Sequence, residues 1–144
     1  MHDPLAKGAF FGLNLTHGRG DMYRAVLEGI ASATRAVTDT YAAAGSPPKR
    51  VLAVGGGTRN SPWLQATSDL TGLNQTVCGI TMGASYGDAF LAALAVGTAQ
   101  PGDMARWNPP ETLVTAQNHA AYARQYPLFL RLYAQTRDIM AELG

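Results

Sequence analysis

A chain of 144 residues with 47% hydrophobic side chains, 15% charged side chains and sixteen glycines has the make-up of one compact mixed α/β domain over residues 1–144, not of a disordered or fibrous protein. Eleven basic residues against ten acidic ones leave a formal charge of +1, with no Lys/Arg cluster, which excludes an electrostatic surface for nucleic acid or an anionic membrane and points to small-molecule ligands. The lone Cys78 makes no internal disulfide, residues 1–4 carry no leader pattern, and no apolar run approaches the roughly 18 to 20 residues of a membrane span, so a reducing cytoplasm is expected.

Residues 8–15 are a short apolar run between turn residues and read as a strand, followed by a polar loop over 16–20. From Asp21 to Ala44 the apolar positions Met22, Val26, Ile30, Ala33, Val37 and Tyr41 step by three or four, one face of a long helix closed by Gly45 and Pro47-Pro48. Residues 50–54 are β-branched and apolar, as in a strand buried on both faces, and run into Gly55-Gly56-Gly57-Thr58-Arg59-Asn60. Ser61 is placed to cap, and Pro62 to begin, a helix that ends at Gly72. Residues 74–78 read as a further strand and 84–96 as a small-residue helix with Gly97 beyond it. Residues 98–114, with Pro101, Pro109 and Pro110, read as an irregular crossing. Residues 115–143 read as helix, broken or kinked at Pro127. Strands alternating with helices predict a parallel or mixed sheet flanked by helices.

The turn over 55–60 carries the most chemistry. Adjacent glycines after a strand let backbone N–H groups approach an anion or nucleotide without Cβ hindrance, and the next helix points its positive end the same way. The glycines also suit a tight strand-to-helix turn with no ligand at all. A dinucleotide fingerprint fits at Gly55 and Gly57 but fails at Asn60, and the following strand ends in Cys78-Gly79 where that motif needs Asp or Glu. No stretch supplies the Gly-Lys-Ser/Thr of a P-loop.

Three segments together resemble a known family. They are residues 16–31, where Thr16-His17-Gly18-Arg19-Gly20-Asp21 leads into Arg24-Ala25-Val26-Leu27-Glu28-Gly29; residues 54–60 at the glycine turn; and residues 83–93, with Gly83-Ala84-Ser85-Tyr86-Gly87-Asp88-Ala89. In this order and spacing they resemble the carboxy-terminal domain of FGGY carbohydrate kinases, nearest the xylulokinase-like members. The resemblance covers residues 8–97, with a weaker likeness in the Tyr-rich terminal helix. It implies part of a ribonuclease H-like (actin-like ATPase) fold with a mixed sheet flanked by helices. It also implies a two-domain enzyme that binds ATP or ADP with Mg²⁺ and passes the γ-phosphoryl group to a ketose hydroxyl, with xylulose as the expected sugar.

By the same resemblance Gly55, Gly56, Gly57, Thr58, Asn60 and Ser61 are the expected nucleotide-binding residues. Gly56 and Gly57 lie against the adenosine and α-phosphate, Asn60 or Ser61 lies near the adenine edge, and the helix from Ala84 closes the pocket. Met82 stands where many members carry an acidic residue. The family's catalytic Asp and sugar-binding residues lie upstream of the matching region, so no residue here is assigned as catalytic base or metal ligand. The chain is then expected to lack turnover by itself, to meet sugar only through an amino-terminal domain, and to self-associate through exposed apolar surface. A rival reading is a non-catalytic nucleotide-binding or regulatory module built on an actin-like half-fold.

Other residues take plainer readings. His17 suits a bond within its own turn, and neither His2 nor His119 has a partner at metal spacing. Arg19-Gly20-Asp21 reads as the entry to a helix, with Asp21 at its positive end. Gly29 inside a helix costs about 1 kcal/mol relative to Ala, so either a sheet of this chain or another domain should approach it closely. Asp69 and Asp88 read as solvated or capping, Cys78 as a small core residue, and Trp63, Tyr122, Tyr126, Phe129 and Tyr133 as packing aromatics.

Overall fold

The computed structural model describes residues 3–143, so His2 lies outside the described residues. Helix α1, Arg19–Ala43, begins after the extended Gly18, whose N–H donates to the Asp21 carboxylate at 2.8 Å. That carboxylate also sits at the positive end of the helix. Gly45, at φ +77°, ends α1, and Ser46 N–H returns to the Tyr41 carbonyl at 3.0 Å. Strand β1, Val51–Ala53, then leads through a 3-10 turn, Gly56–Arg59, into α2, Ser61–Thr71. Strand β2, Gln75–Cys78, precedes α3, Gly83–Ala95, and the four-residue α4, Met104–Trp107. Strand β3, Pro110–Val114, a 3-10 turn, His119–Ala123, and α5, Gln125–Glu142, complete the order.

The sheet has the order β1-β2-β3. β1 and β2 are parallel, with Val51 opposite Gln75, while β2 and β3 are antiparallel, with Val77 opposite Thr112 and a bulge between Val77 and Cys78. The sheet is mixed and helices pack on it, as the alternation of elements predicts.

Five local expectations are corrected. Residues 8–15 form no strand, because no ladder partner lies beside them among the described residues. The crossing over 98–114 contains β3; Pro110 is tolerated there because it opens an edge strand. The terminal helix starts at Gln125, and Pro127 falls in its first turn, where no intrahelical N–H bond is lost and no break follows. The face of α1 chosen by periodicity is the open one: Val26, Ile30, Val37 and Tyr41 are exposed, while Leu27, Ala31 and Ser32 are buried. The stretch over 50–54 likewise leaves Leu52 of β1, and Val54 just beyond it, exposed instead of buried on both faces.

The main core joins α1, α2 and α5. Ala31 and Ala66 are both 0% exposed, and their small size lets the two helices approach closely over Leu70, Tyr122 and Tyr126. Full burial of the Leu70 side chain is worth about 2 kcal/mol. Arg35 lies over the Tyr126 ring at 4.1 Å, a cation–π contact, and burial together with the Asp39 carboxylate pushes the Tyr126 hydroxyl up to about 12. A second cluster gathers Phe90, Ala93 and Ala99 around Trp107, whose ring meets Phe90 edge-on at 5.2 Å.

Candidate functional site

The parallel strands β1 and β2 end on the same side of the sheet, where α2 and α3 begin. Ligands in open α/β sheets bind outside the carboxyl ends of parallel strands. Here the two ends are tied directly, Gly55 N–H donating to the Thr81 carbonyl at 2.7 Å. The loop over 79–82 is held in turn by Asn108, whose Oδ1 accepts the Ile80 N–H at 2.9 Å and whose Nδ2 donates to the Ile80 carbonyl at 2.8 Å. Among the predicted residues nothing signalled Thr81 or Asn108; both act through backbone partners that only the fold brings near.

The three glycines of the turn answer to different causes. Gly55 has φ +85° and ψ −176°, a conformation open essentially to glycine alone. Gly57 lies under Trp63, and a Cβ there would stand 2.6 Å from the indole ring, so a side chain at 57 must displace the ring. Gly56 has neither constraint: its φ is not positive, it is exposed, and an ideal Cβ meets nothing within 4 Å. Within the described residues nothing asks for glycine at 56, which leaves its backbone open to a ligand.

The polar members of the predicted set are largely engaged with the turn itself. Thr58 donates both its N–H, at 3.2 Å, and its hydroxyl, at 2.8 Å, to the Gly55 carbonyl. Asn60, not Ser61, is the N-cap of α2: its Oδ1 accepts the Trp63 N–H at 3.1 Å, while Nδ2 donates to the Tyr23 hydroxyl at 2.6 Å. Asn and Ser are equally good caps, and the extended residue before the first helical turn proves to be Asn60. Ser61 is exposed at the start of the helix with Pro62 behind it. All six predicted residues therefore share one turn, of which Gly56 and Ser61 present their open sides to solvent.

Further anchors tie α1 and α2 to the turn before α5. Arg24 donates from Nε to Glu28 Oε1 at 2.7 Å and from a terminal nitrogen to the Tyr122 hydroxyl at 2.9 Å; Tyr122 in turn donates to Glu28 Oε1 at 2.8 Å. This trio joins α1 to the turn before α5. Asp69 is 1% exposed, so of its two expected roles, solvated or capping, the solvated one is corrected: Oδ1 accepts the N–H groups of Gln117 and Asn118 at 2.7 and 3.0 Å and the Gln65 amide at 2.9 Å. Burial opposes its charge, but these donors prevail and hold the carboxyl below the usual carboxylate range. His17 accepts the Asn14 N–H at 3.0 Å within its own turn, and the His119 ring bonds the Asp69 carbonyl at 2.8 Å. Among the described residues no group of three His, Cys, Asp or Glu is assembled that could hold a metal ion. Nor is any helix among them long and apolar enough to cross a membrane.

Comparison with known proteins places these features in a family. Residues 1–96 match the model of the FGGY family of carbohydrate kinases, C-terminal domain. The xylulose kinase of Escherichia coli K12 is 36% identical over 155 residues, which cover 97% of this chain and 30% of the relative. The crystal structure of xylulose kinase from Rhodospirillum rubrum superposes with a TM-score of 0.83 at 30% identity, covering 96% of this chain and 29% of that one. Plasmodium falciparum glycerol kinase with ADP shares the fold at a TM-score of 0.71 and 22% identity, over 87% of this chain and 26% of that one. These are actin-like ATPase folds, and the chain spans only about 30% of the length of the curated relatives it matches.

Proposed function

Because the chain belongs to the FGGY family of carbohydrate kinases, we propose that it supplies the ATP-binding part of a kinase that phosphorylates a ketose, with xylulose as the sugar. The observation that carries this reading is Gly56, a glycine that neither its φ nor any described neighbour requires, in the turn beyond the carboxyl end of β1. In this reading the N–H groups of Gly56 and Gly57 face the adenosine and α-phosphate, and Ser61 stands near the adenine edge. Trp63 and the Asn60 cap keep the turn rigid, so that the nucleotide is positioned without ordering cost at the moment of binding.

Phosphoryl transfer needs little covalent help from the protein: the sugar hydroxyl oxygen attacks the γ-phosphorus in line, the bond to the β-phosphate oxygen breaks, and ADP leaves. In this reading the base that takes the hydroxyl proton and the sugar contacts belong to the part of the kinase outside the matched region. The chain alone then binds nucleotide but turns over little or no xylulose.

Calorimetric titration with Mg·ADP, with NAD⁺ as control, tests this. Binding of ADP and not NAD⁺, lost in Gly56→Val with the melting temperature unchanged, is the expected result. Equal affinity in Gly56→Val, or an ordinary rate of xylulose phosphorylation by the chain alone, would overturn the reading. Gly57→Val is the poorer probe, because a side chain there strikes Trp63 whether or not a ligand binds.

A further inference from the structure

Near its start, α1 reaches the glycine turn and the first residues of α2 at two successive positions. The Tyr23 hydroxyl accepts a bond from Asn60 Nδ2 at 2.6 Å, and Arg24 donates to the Pro62 carbonyl at 3.5 Å. The Arg24 contact extends the trio with Glu28 and Tyr122 that already joins α1 to the turn before α5. Tyr23 stands apart from that trio. Among the described residues Asn60 is its one hydrogen-bond partner. Its side chain is 54% exposed and lies outside both apolar clusters, so it adds little to the core.

The cap of α2 is complete without Tyr23. Asn60 Oδ1 takes the Trp63 N–H at 3.1 Å, which satisfies that helix donor whatever Nδ2 does. What the hydroxyl adds is a second hold on the same amide. Gripped at Oδ1 by Trp63 and at Nδ2 by Tyr23, the side chain has one setting; released from Tyr23 it keeps the cap but is free to swing about its torsions. Asn60 in turn governs Gly57. Its own N–H donates to the Gly57 carbonyl at 3.0 Å, and Trp63, whose N–H it caps, lays its ring against Gly57. A displacement of Asn60 therefore reaches Gly57 by two routes, the backbone bond and the ring. Gly57 adjoins the open Gly56, where the turn admits a ligand.

We propose that Tyr23 is a positioning residue of the nucleotide site: through the Asn60 amide it holds the glycine turn in the arrangement that receives an adenine nucleotide. The proposal rests on the kinase reading above for the ligand, and on the line from Tyr23 through Asn60 to Gly57 for the route. A turn ordered before binding spares the complex the entropy of ordering it afterwards, so the clamp is felt in affinity. An exposed hydrogen bond contributes only modestly to folding, so the same clamp is felt little in stability. These two effects separate a positioning role from a structural one.

The test is a double-mutant cycle on Mg·ADP affinity, titrated calorimetrically in the parent, Tyr23→Phe, Asn60→Ser and the double variant, with melting temperatures measured alongside. Tyr23→Phe keeps the ring and removes only the hydroxyl; it is expected to weaken Mg·ADP about tenfold with a melting temperature close to the parent's. Asn60→Ser retains a capping oxygen but has no Nδ2, so adding Tyr23→Phe to it should cost no further affinity. A full second loss in the double variant would mean that Tyr23 acts by some route other than Asn60, and overturns the proposal. Unchanged affinity in Tyr23→Phe overturns it as well, even with a lowered melting temperature, because a bond that serves folding alone moves only the latter. In the ligand-free chain, hydrogen exchange of the Asn60 side-chain amide should quicken in Tyr23→Phe, and equal exchange shows that no clamp was there to lose. A parent chain that binds no Mg·ADP defeats the kinase reading and the role of Tyr23 together; binding that Tyr23→Phe leaves intact defeats the role of Tyr23 alone.

Discussion

At Asp69 one carboxylate holds the backbone of Gln117 and Asn118 to α2. Removing it in Asp69→Ala strands the N–H groups of Gln117 and Asn118, and the expected loss is about 2 to 4 kcal/mol in urea unfolding at neutral pH. The pH dependence follows from the lowered carboxyl. An unfolded Asp titrates near 3.9, so the contribution is complete above about pH 4 and is lost as pH falls through the lower, folded value. Asp69→Ala should therefore show a shallower acid limb below pH 4 than the parent, and an identical limb would contradict this role. Sequence alone showed Asp69 only as one polar position on a helix; the donors that bury it come from residues 117 and 118, far along the chain. The glycine turn was more legible, because three adjacent glycines after a strand are visible without a fold. Which of them is free for a ligand was not, since the Trp63 ring over Gly57 and the positive φ of Gly55 are facts of three dimensions.

Elements were read most reliably where local chemistry decides them. Helices α1, α2 and α3 and strands β1 and β2 follow from periodicity, caps and glycine stops. At the start of α2, Ser61-Pro62 imitates a cap followed by a first-turn proline, while Asn60, one residue earlier, does the capping. Asn60→Ala should lower stability by about 1 kcal/mol through the lost cap. Asn60→Ser should recover most of that loss but not the bond to Tyr23, and equal thermal unfolding of Asn60→Ala and the parent would show that the cap carries no weight. β3 was hidden by its prolines, since an edge strand can open on Pro110 where a central strand cannot. The run over 8–15 shows the reverse error. Its composition suits a strand, but a strand needs a neighbour, and no described residue provides one.

For the whole molecule, the apolar spacing of α1 revealed a helix but not which side α2 would take. Periodicity reports that a face is apolar, and Val26, Ile30 and Val37 are apolar although they stand open. Exposed apolar side chains of this kind mark a surface on which something else can pack. The central claim is that this part still holds a nucleotide site at the turn between β1 and α2. The most direct test is the two-dimensional ¹H–¹⁵N spectrum of the labelled chain titrated with Mg·ADP. The account predicts that the largest shifts fall on the amides of Gly55, Gly56 and Gly57 and on the Trp63 indole, with smaller shifts at Thr81 across the loop. Shifts confined to the groove beside Val26 and Ile30, or none at millimolar nucleotide, would contradict it.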